Sequence, residues 1–209
     1  MKEYKLPIGC DVPETIILAD GDFPSHPLAL EWLRQCPYVV CCDGAANTYI
    51  RSGRMPEAIV GDGDSLLPDI KERYASLIHS EAEQETNDLS KAFRFCLSQE
   101  RKRITIMGAT GKREDHTIGN VSLLADYMEQ AEVSMMTDYG IFVPIREDSM
   151  FESYIGQQIS VFNMNSTALS AEGLAYPLSV FTNWWQGTLN EALARHFIIR
   201  TEGKGSVDF

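Results

Sequence analysis

Short β-branched runs alternate with amphipathic stretches through the first two thirds of the chain, and this alternation strongly constrains the fold. It is typical of βαβ units, in which helices cover both faces of a parallel sheet. Apolar residues at helical spacing predict one helix with Asn87 as its N-cap and a second from about His116 to near Gln130. The predicted strands are residues 15–19, 38–42, 58–60, 103–107 and 132–137.

After about Thr137 the pattern changes to short alternating segments separated by Gly, Pro, Asn and Ser. Such a pattern predicts an antiparallel sheet, here a small sandwich. The predicted fold class is therefore α/β, with an N-terminal parallel-sheet (Rossmann-like) domain followed by a small C-terminal antiparallel β-sandwich domain. A boundary near Tyr139 and Gly140 gives predicted domains of residues 1–139 and 140–209.

The composition excludes several classes of partner and site. The 209 residues include 18 basic and 30 acidic ones, and the net charge of −12 repels nucleic acid and anionic membranes. No apolar run reaches the roughly 18 residues that a membrane span needs, and no signal-peptide pattern is present, so we expect a cytoplasmic protein. Four scattered histidines and five cysteines without C-x-x-C spacing indicate neither a zinc site nor a disulfide framework, and we expect buried, reduced thiols.

Glycine-flanked aspartates follow three predicted strands, and a further aspartate opens a predicted helix. These acids lie in Asp20-Gly21-Asp22, Asp43-Gly44 and Asp62-Gly63-Asp64, and at Asp88. Ligands of open α/β sheets bind beyond the carboxyl ends of the strands, so we expect the acids to converge around a cation that relieves their repulsion. Magnesium fits best, because it prefers hard oxygen ligands and phosphates.

Asp62 and Asp64, two residues apart in extended backbone, are expected to point to the same side. The alternative for any single Asp-Gly pair is an ordinary turn, and this alternative is strongest for Asp22.

A second chemical signal is the loop after the strand at 103–107. Gly108-Ala109-Thr110-Gly111 precedes two basic residues, Lys112 and Arg113, and then a helix start at Asp115 and His116. Free N–H groups, a helix N-terminus and a guanidinium are the components of an anion-binding loop. The loop is not a Walker motif, and the chain has no G-x-G-x-x-G fingerprint. For His116, a polar residue satisfied at a helix N-terminus and a catalytic base both stay open.

Taken in order, these motifs resemble those of the thiamine pyrophosphokinase (thiamine diphosphokinase) family. The matching segments are DGAAN at 43–47, GDGDS at 61–65, residues 84–92, GATGKREDH at 108–116, GLAYPL at 173–178 and GTLNE at 187–191. The chain departs from the family pattern at Asn87, usually Thr, at Lys112, usually Gly, and at Leu189, commonly Ser.

The resemblance implies a homodimer with an active site between its subunits, in which the diphosphate of ATP is transferred to the hydroxyl of thiamine and AMP is released. It implies that Asp62, Asp64 and Asp88 hold Mg²⁺ on the phosphates, and that Asp43, Asp64, Asp88 and Asp115 are catalytic, with Asp115 facing thiamine. The residues that it implies in ligand binding are Asn47, Ser65, Gln84, Thr110, Gly111, Arg113, His116, Thr188 and Asn190.

Two rival functions fit the same acids. One is a metal-dependent phosphohydrolase that uses water in place of the alcohol, and the other is a non-catalytic nucleotide or vitamin sensor. Within the kinase hypothesis, Asp43 and Asp115 are both candidates to accept the hydroxyl proton.

Overall fold

The computed structural model describes residues 1–7, 11–81, 83, 85–203 and 206–208. The chain divides into two compact units, an α/β unit of Gly9–Ile141 and a C-terminal unit of Phe142–Phe209 that also includes Met1–Ile8. The helices are α1 (Pro27–Gln35), α2 (Ala45–Arg51), α3 (Pro68–Arg73), α4 (Asp88–Ser98) and α5 (Glu114–Tyr127), with short 3₁₀ turns at Ala75–Leu77 and Trp184–Gly187. The strands are β1 (Lys2–Tyr4), β2 (Thr15–Leu18), β3 (Val39–Cys42), β4 (Ala58–Gly61), β5 (Ile78–Ser80), β6 (Arg103–Met107), β7 (Glu132–Met136), β8 (Ile141–Ile145), β9 (Ser149–Glu152), β10 (Gln158–Ile159), β11 (Val161–Asn163), β12 (Ser166–Glu172), β13 (Asn190–Glu191), β14 (His196–Gly203) and β15 (Ser206–Asp208).

The α/β unit contains a parallel sheet in the strand order β7-β6-β2-β3-β4-β5. Every residue of β2, β3 and β4 is buried, as expected for parallel strands with helices on both faces. The predicted parallel-sheet architecture is confirmed, whereas β5 and helices α1 to α3 were not predicted. These elements are short, and short elements carry little periodicity.

Both predicted helices are present. Asn87 caps α4, because its side chain accepts a hydrogen bond from the N–H of Ser90 at 2.9 Å. Helix α5 begins two residues before the predicted start, at Glu114, and ends at Tyr127.

One hydrophobic cluster packs helices against one face of this sheet. It joins Ile16 and Leu18 of β2 to Trp32 and Leu33 of α1 and to Tyr49 of α2. Because these strands and helices pack on one another, the loops that follow the strands start from a rigid base.

The C-terminal unit is an antiparallel β structure, as predicted. Strand β14 pairs with β9 and β12, and β15 pairs with β8 and β11, all antiparallel. An unpredicted feature is β1, which pairs in parallel with β9, so the N-terminal strand belongs to this unit. Tyr4 stacks on Phe151 with ring centroids 4.7 Å apart, and Phe151 stacks on Phe197 at 4.9 Å, which fixes β1 on the core.

Cys41, Cys42 and Cys96 are buried free thiols, and Cys36 is half-buried and free. Burial raises the pKa of Cys96 to about 12, so this thiol is protonated and inert at neutral pH. Cys10 lies outside the described residues. In the part of the chain that the structure describes, no helix combines the length and apolar character that crossing a bilayer requires.

Candidate active site

Asp43 is the buried centre of the candidate site. It follows β3 with a φ of +30° and is only 3% exposed. Its Oδ2 accepts a hydrogen bond from the N–H of Ser65 at 3.0 Å, whereas its Oδ1 is buried without a hydrogen-bond partner. Burial raises the pKa of Asp43, and the neighbouring acids raise it further. A buried carboxylate oxygen without a partner is costly and therefore suggests a missing ligand.

Asp62 and Asp64 lie beside Asp43, in a turn that Gly63 makes possible. Gly63 has a φ of +75°, and the N–H of Asp64 donates to Oδ1 of Asp62 at 3.1 Å. The expected extended backbone between the two acids is therefore wrong, because a left-handed glycine bends the chain there. One carboxylate oxygen from each of the three aspartates lies within 4.8 Å of the others, so the predicted convergence of the acids includes Asp43.

Neighbouring groups stabilise both the ionised carboxylate of Asp64 and the backbone of this turn. The hydroxyl of Ser65 donates to Asp64 at 3.1 Å and is the main cause of a lowered pKa for Asp64. The ammonium of Lys71, on α3, donates to the carbonyl of Gly63 at 2.7 Å. Lys71 was not predicted. Its only signal in the sequence is that it is a basic residue in the first helix after the turn of Asp62 and Asp64.

Asp88 does not belong to the group of three carboxylates. Its Oδ1 forms an ion pair with the ammonium of Lys91 at 3.1 Å, and the side chain of Lys91 is only 6% exposed. Burial lowers the pKa of Lys91, but the hydrogen bond and charge of Asp88, together with the charges of Glu83 and Asp62, outweigh burial and raise it overall. A Cβ added to Gly61 would lie 2.8 Å from Cβ of Asp43 and 3.4 Å from Cγ of Asp88, so both acids flank Gly61. The metal-binding role of Asp88 stays a prediction.

Two asparagines connect the loops of the site. The amide of Asn47 donates to the carbonyl of Ser65 at 2.8 Å and accepts from the N–H of Leu67 at 3.0 Å, so it ties the acidic loop to α2. Asn120 donates to the carbonyl of Ala109 at 2.8 Å and accepts from Asn87 at 3.2 Å. Asn120 thereby joins the loop of residues 108–111 after β6, the glycine loop, to the start of α4. It was not predicted, because only the fold brings these segments together.

The glycine loop after β6 packs directly on the loop after β2. The N–H of Gly21 donates to the carbonyl of Gly108 at 2.6 Å, and the N–H of Asp22 donates to that of Thr110 at 2.8 Å. Gly111 has a φ of +104°, and a Cβ there would lie 2.2 Å from Oδ2 of Asp22. Asp22 therefore shapes this junction, which accords with the turn role considered for it.

Arg113, Asp115 and His116 lie together at the start of α5 and are exposed. Arg113 holds Asp115 through two hydrogen bonds, Nε to Oδ1 at 3.1 Å and Nη2 to Oδ2 at 2.6 Å. This pairing lowers the pKa of Asp115 to about 2. Asp115 is therefore ionised at neutral pH and is a weak proton acceptor.

Lys112 and Asp20 form an unpredicted ion pair between these two loops. The ammonium of Lys112 lies 3.1 Å from Oδ1 of Asp20, and both side chains are about half exposed. A Cβ on Gly44 would lie 2.6 Å from Oδ2 of Asp20, so this carboxylate packs against the start of α2.

The predicted binding residues of the C-terminal unit lie on one loop and strand. Asn190 is buried; its amide donates to the carbonyl of Tyr176 at 2.8 Å and accepts from the N–H of Tyr176 at 3.0 Å. The hydroxyl of Thr188 donates to the carbonyl of Trp185 at 2.7 Å. Both side chains therefore have structural partners, and their ligand contacts stay predictions. Gln84 lies outside the described residues.

Family models match both parts of the chain. The model for "Thiamin pyrophosphokinase, catalytic domain" matches residues 29–136, and that for "Thiamin pyrophosphokinase, substrate-binding domain" matches residues 140–207. The chain belongs to the thiamin pyrophosphokinase family. The catalytic-domain match contains the group Asp43, Asp62 and Asp64 and the glycine loop, and the substrate-binding match contains Thr188 and Asn190.

Individual thiamin pyrophosphokinases show the same relationship. Thiamine pyrophosphokinase 1 of Oryza sativa subsp. japonica is 30% identical over 129 residues, which cover 50% of this chain and 49% of the rice protein. Thiamine pyrophosphokinase of Bacillus subtilis (strain 168) is 34% identical over 86 residues, covering 39% of this chain and 40% of that protein. The chain thus matches about half the length of the rice relative, and less of the bacterial one.

Solved structures share the fold along almost the whole chain. Thiamin pyrophosphokinase from Candida albicans superposes with a TM-score of 0.79 at 18% identity and covers 99% of this chain and 92% of its own. The Bacillus subtilis structure gives a TM-score of 0.74 at 20% identity, with coverage of 93% and 96%.

Proposed function

We propose that this protein is a thiamine diphosphokinase, which transfers the terminal diphosphate of ATP to the hydroxyl of thiamine and releases AMP. The observation that carries the proposal is the group of Asp43, Asp62 and Asp64, which lies at the carboxyl edge of a parallel sheet in a chain of this family. Acids in this arrangement suit a reaction on phosphate groups that a divalent cation accompanies.

The residues present fit Mg²⁺. Oδ1 of Asp43 is buried without a partner and lies in the group whose carboxylate oxygens are within 4.8 Å of one another. We infer that Asp43, Asp62 and Asp64 hold the ion, with Asp88 beside them as a further ligand. When bound, Mg²⁺ would neutralise the charge that develops on the phosphate oxygens.

In the proposed reaction the thiamine hydroxyl oxygen forms a bond to the β-phosphorus of ATP. The bond between that phosphorus and the oxygen it shares with the α-phosphate breaks, AMP leaves with the electron pair, and the hydroxyl proton passes to Asp43, the other candidate acceptor besides Asp115. The loop of Thr110 and Gly111, which leads into the N-terminus of α5, and the guanidinium of Arg113 are suited to bind phosphate oxygens, as for other anions at helix N-termini. This chain therefore acts mainly by positioning and by charge.

Asp115 has a separate role in this proposal. Arg113 keeps it ionised, with a pKa of about 2, so it offers a permanent negative charge at neutral pH. Thiamine carries a positively charged thiazolium ring, which such a carboxylate attracts. A carboxylate with so low a pKa is a poor proton acceptor, so we assign Asp115 to orienting thiamine.

We further propose a homodimer in which the C-terminal unit forms the interface. Trp185 is 73% exposed, Leu189 78% and Tyr176 64%, and Asn190 connects their segments by hydrogen bonds to Tyr176. Large apolar side chains exposed in one region commonly mark an interface. The cytoplasmic location expected from the sequence stays a prediction.

A product assay with a matched variant tests the proposed activity. The protein is incubated with ATP, Mg²⁺ and thiamine, and thiamine diphosphate and AMP are measured. Asp64→Ala should lower turnover at least about a hundredfold because it removes an inferred metal ligand. Its stability should change by less than about 0.5 kcal/mol, as for an exposed side chain.

Asp69→Ala is the control, since Asp69 is an exposed acid on neighbouring α3 and should keep normal turnover. Formation of ADP or free phosphate without thiamine diphosphate would support the phosphohydrolase, and nucleotide binding without any product would support the sensor. Near-normal turnover of Asp64→Ala would contradict the assigned metal group.

A further inference from the structure

The loops after β2 and β6 lie at the point where the sheet changes direction. From β2 the chain adds β3, β4 and β5 on one side, and β6 then returns to the other side of β2. In open α/β sheets the usual ligand site is a crevice beyond the carboxyl ends of the strands at such a switch point.

A crevice of about 120 Å³ is present at this switch point. Its walls are Ala19, Asp20, Gly21, Asp22, Phe23, Ala45, Thr48 and Lys112. Among these lining residues Lys112 is the only cation, and it lies 3.1 Å from Asp20. An anion in this crevice would therefore meet two carboxylates and one ammonium.

The ion pair of Lys112 can be exchanged at low cost. The two side chains are 54% and 47% exposed, and an exposed ion pair contributes little to stability. Lys91, by contrast, is 6% exposed and committed to Asp88. Lys112 is thus more available to a ligand than Lys91.

A phosphate chain competes well for this ammonium. Each phosphate oxygen is a charged acceptor, and several on one ligand attract a lysine more strongly than a single half-exposed carboxylate does. The two carboxylates that line the crevice, Asp20 and Asp22, repel a phosphate, so a cation beside them favours its binding.

We propose that Lys112 is a substrate-binding residue that leaves Asp20 and binds the phosphate chain of ATP. Asp20 holds the ammonium at the crevice in the free protein and is replaced by phosphate oxygens in the complex. This inference rests on the proposed function, because it assigns a residue to the nucleotide of that reaction.

Nucleotide binding to variants of the full chain tests the inference. Lys112→Met keeps the length of the side chain and removes its charge, and we expect it to weaken the binding of ATP with Mg²⁺ about tenfold, measured by calorimetry. Binding of adenosine, which lacks phosphates, should stay within about twofold, and Lys112→Arg should restore most of the ATP affinity. A merely structural lysine would affect both ligands alike.

Arg103→Met is the matched control. Arg103 lies at the opposite end of β6 and also forms an exposed ion pair, 2.7 Å from Glu14, so the variant changes the net charge equally without touching the crevice. It should bind ATP as the wild type does. Unchanged ATP binding by Lys112→Met, or an equal loss for ATP and adenosine, would overturn the role of Lys112.

The product assay separates this outcome from failure of the function. A wild-type protein that forms thiamine diphosphate while Lys112→Met binds ATP normally would refute the role of Lys112 alone. A wild-type protein that forms no thiamine diphosphate would refute the proposed function, and the inference with it.

Discussion

In the α/β unit the candidate functional groups are charged and are held by hydrogen bonds, whereas in the C-terminal unit large apolar side chains are exposed near the predicted binding residues. Asp43 and Asp64 both accept hydrogen bonds from Ser65, but Trp185 and Leu189 project into solvent. Leu189 does so from a left-handed backbone, with a φ of +61° that a branched side chain seldom adopts.

The difference shows two ways of building a site. The charged groups of the α/β unit must be preorganised, because free carboxylates repel one another. The apolar side chains of the C-terminal unit need only be displayed, because the hydrophobic effect is not directional. Substitutions in the α/β unit should therefore change its stability and the geometry of the site. Substitutions of the exposed apolar residues in the C-terminal unit should instead change the association of subunits.

The largest effect is expected where the glycine loop meets Asp22. Gly111→Ala places a Cβ 2.2 Å from Oδ2 of Asp22, so we expect a loss of about 3 kcal/mol in the free energy of unfolding and a large loss of turnover. Urea unfolding and the product assay measure these two quantities.

Gly53→Ala is the control, because Gly53 also has a positive φ, +83°, but its Cβ would meet no atom within 4 Å. It should cost only about 1 kcal/mol, the strain of the left-handed backbone, and leave turnover unchanged. Equal losses for the two variants would show that the glycine loop is not closely packed.

A smaller effect should follow from loss of the Asp138 carboxylate. It accepts hydrogen bonds from the N–H groups of Ser25 and His26 and from the hydroxyl of Ser25, and so holds the start of α1. Burial alone raises its pKa, but these bonds outweigh burial and lower it below the ordinary 3.8. Asp138→Asn should cost about 2 kcal/mol near neutral pH, less than the bonds would contribute if fully buried.

The sign of the pH dependence follows from the lowered pKa. The ionised carboxylate stabilises the fold above the ordinary pKa of 3.8, and this contribution is lost as the pH falls through the lower folded value. The gap between wild type and Asp138→Asn should therefore close in acid, whereas Asp126→Asn, on the exposed side of α5, should show no such gap. A gap that persists at low pH would contradict the role of the charge.

The smallest effect on folding is expected for Trp185→Ala. Because Trp185 is 73% exposed, its loss should change the stability of the fold by less than about 0.5 kcal/mol. If the C-terminal unit forms the dimer interface, the dissociation constant of the dimer should rise about tenfold or more, since interface tryptophans contribute strongly. Sedimentation over a range of concentrations measures this constant.

Tyr139→Ala is the matched control from the α/β unit, where Tyr139 is 95% exposed. It should leave the dimer unchanged. A monomeric wild type, or equal weakening by both variants, would remove the proposed role of the C-terminal unit.

The sequence predicted those elements whose signal is local and long enough to read. The capped helix α4 and the strands that precede Asp-Gly pairs are of this kind, because periodicity and capping chemistry depend on near neighbours. Strand β1 was missed because its three residues carry no pattern, and its place is decided by stacking between Tyr4 and Phe151. The pairing of Lys112 with Asp20 was missed because 92 residues separate the two.

By itself the sequence determined that acids gather at one edge of a parallel sheet, since strand direction and the position of each Asp-Gly pair are local properties. Only the tertiary structure decided which acids meet: Asp43, Asp62 and Asp64 converge, whereas Asp88 pairs with Lys91. The physical reason is that distances of a few ångströms depend on the bend at Gly63 and on the packing of α4 against the sheet, and neither can be read from the spacing of residues along the chain.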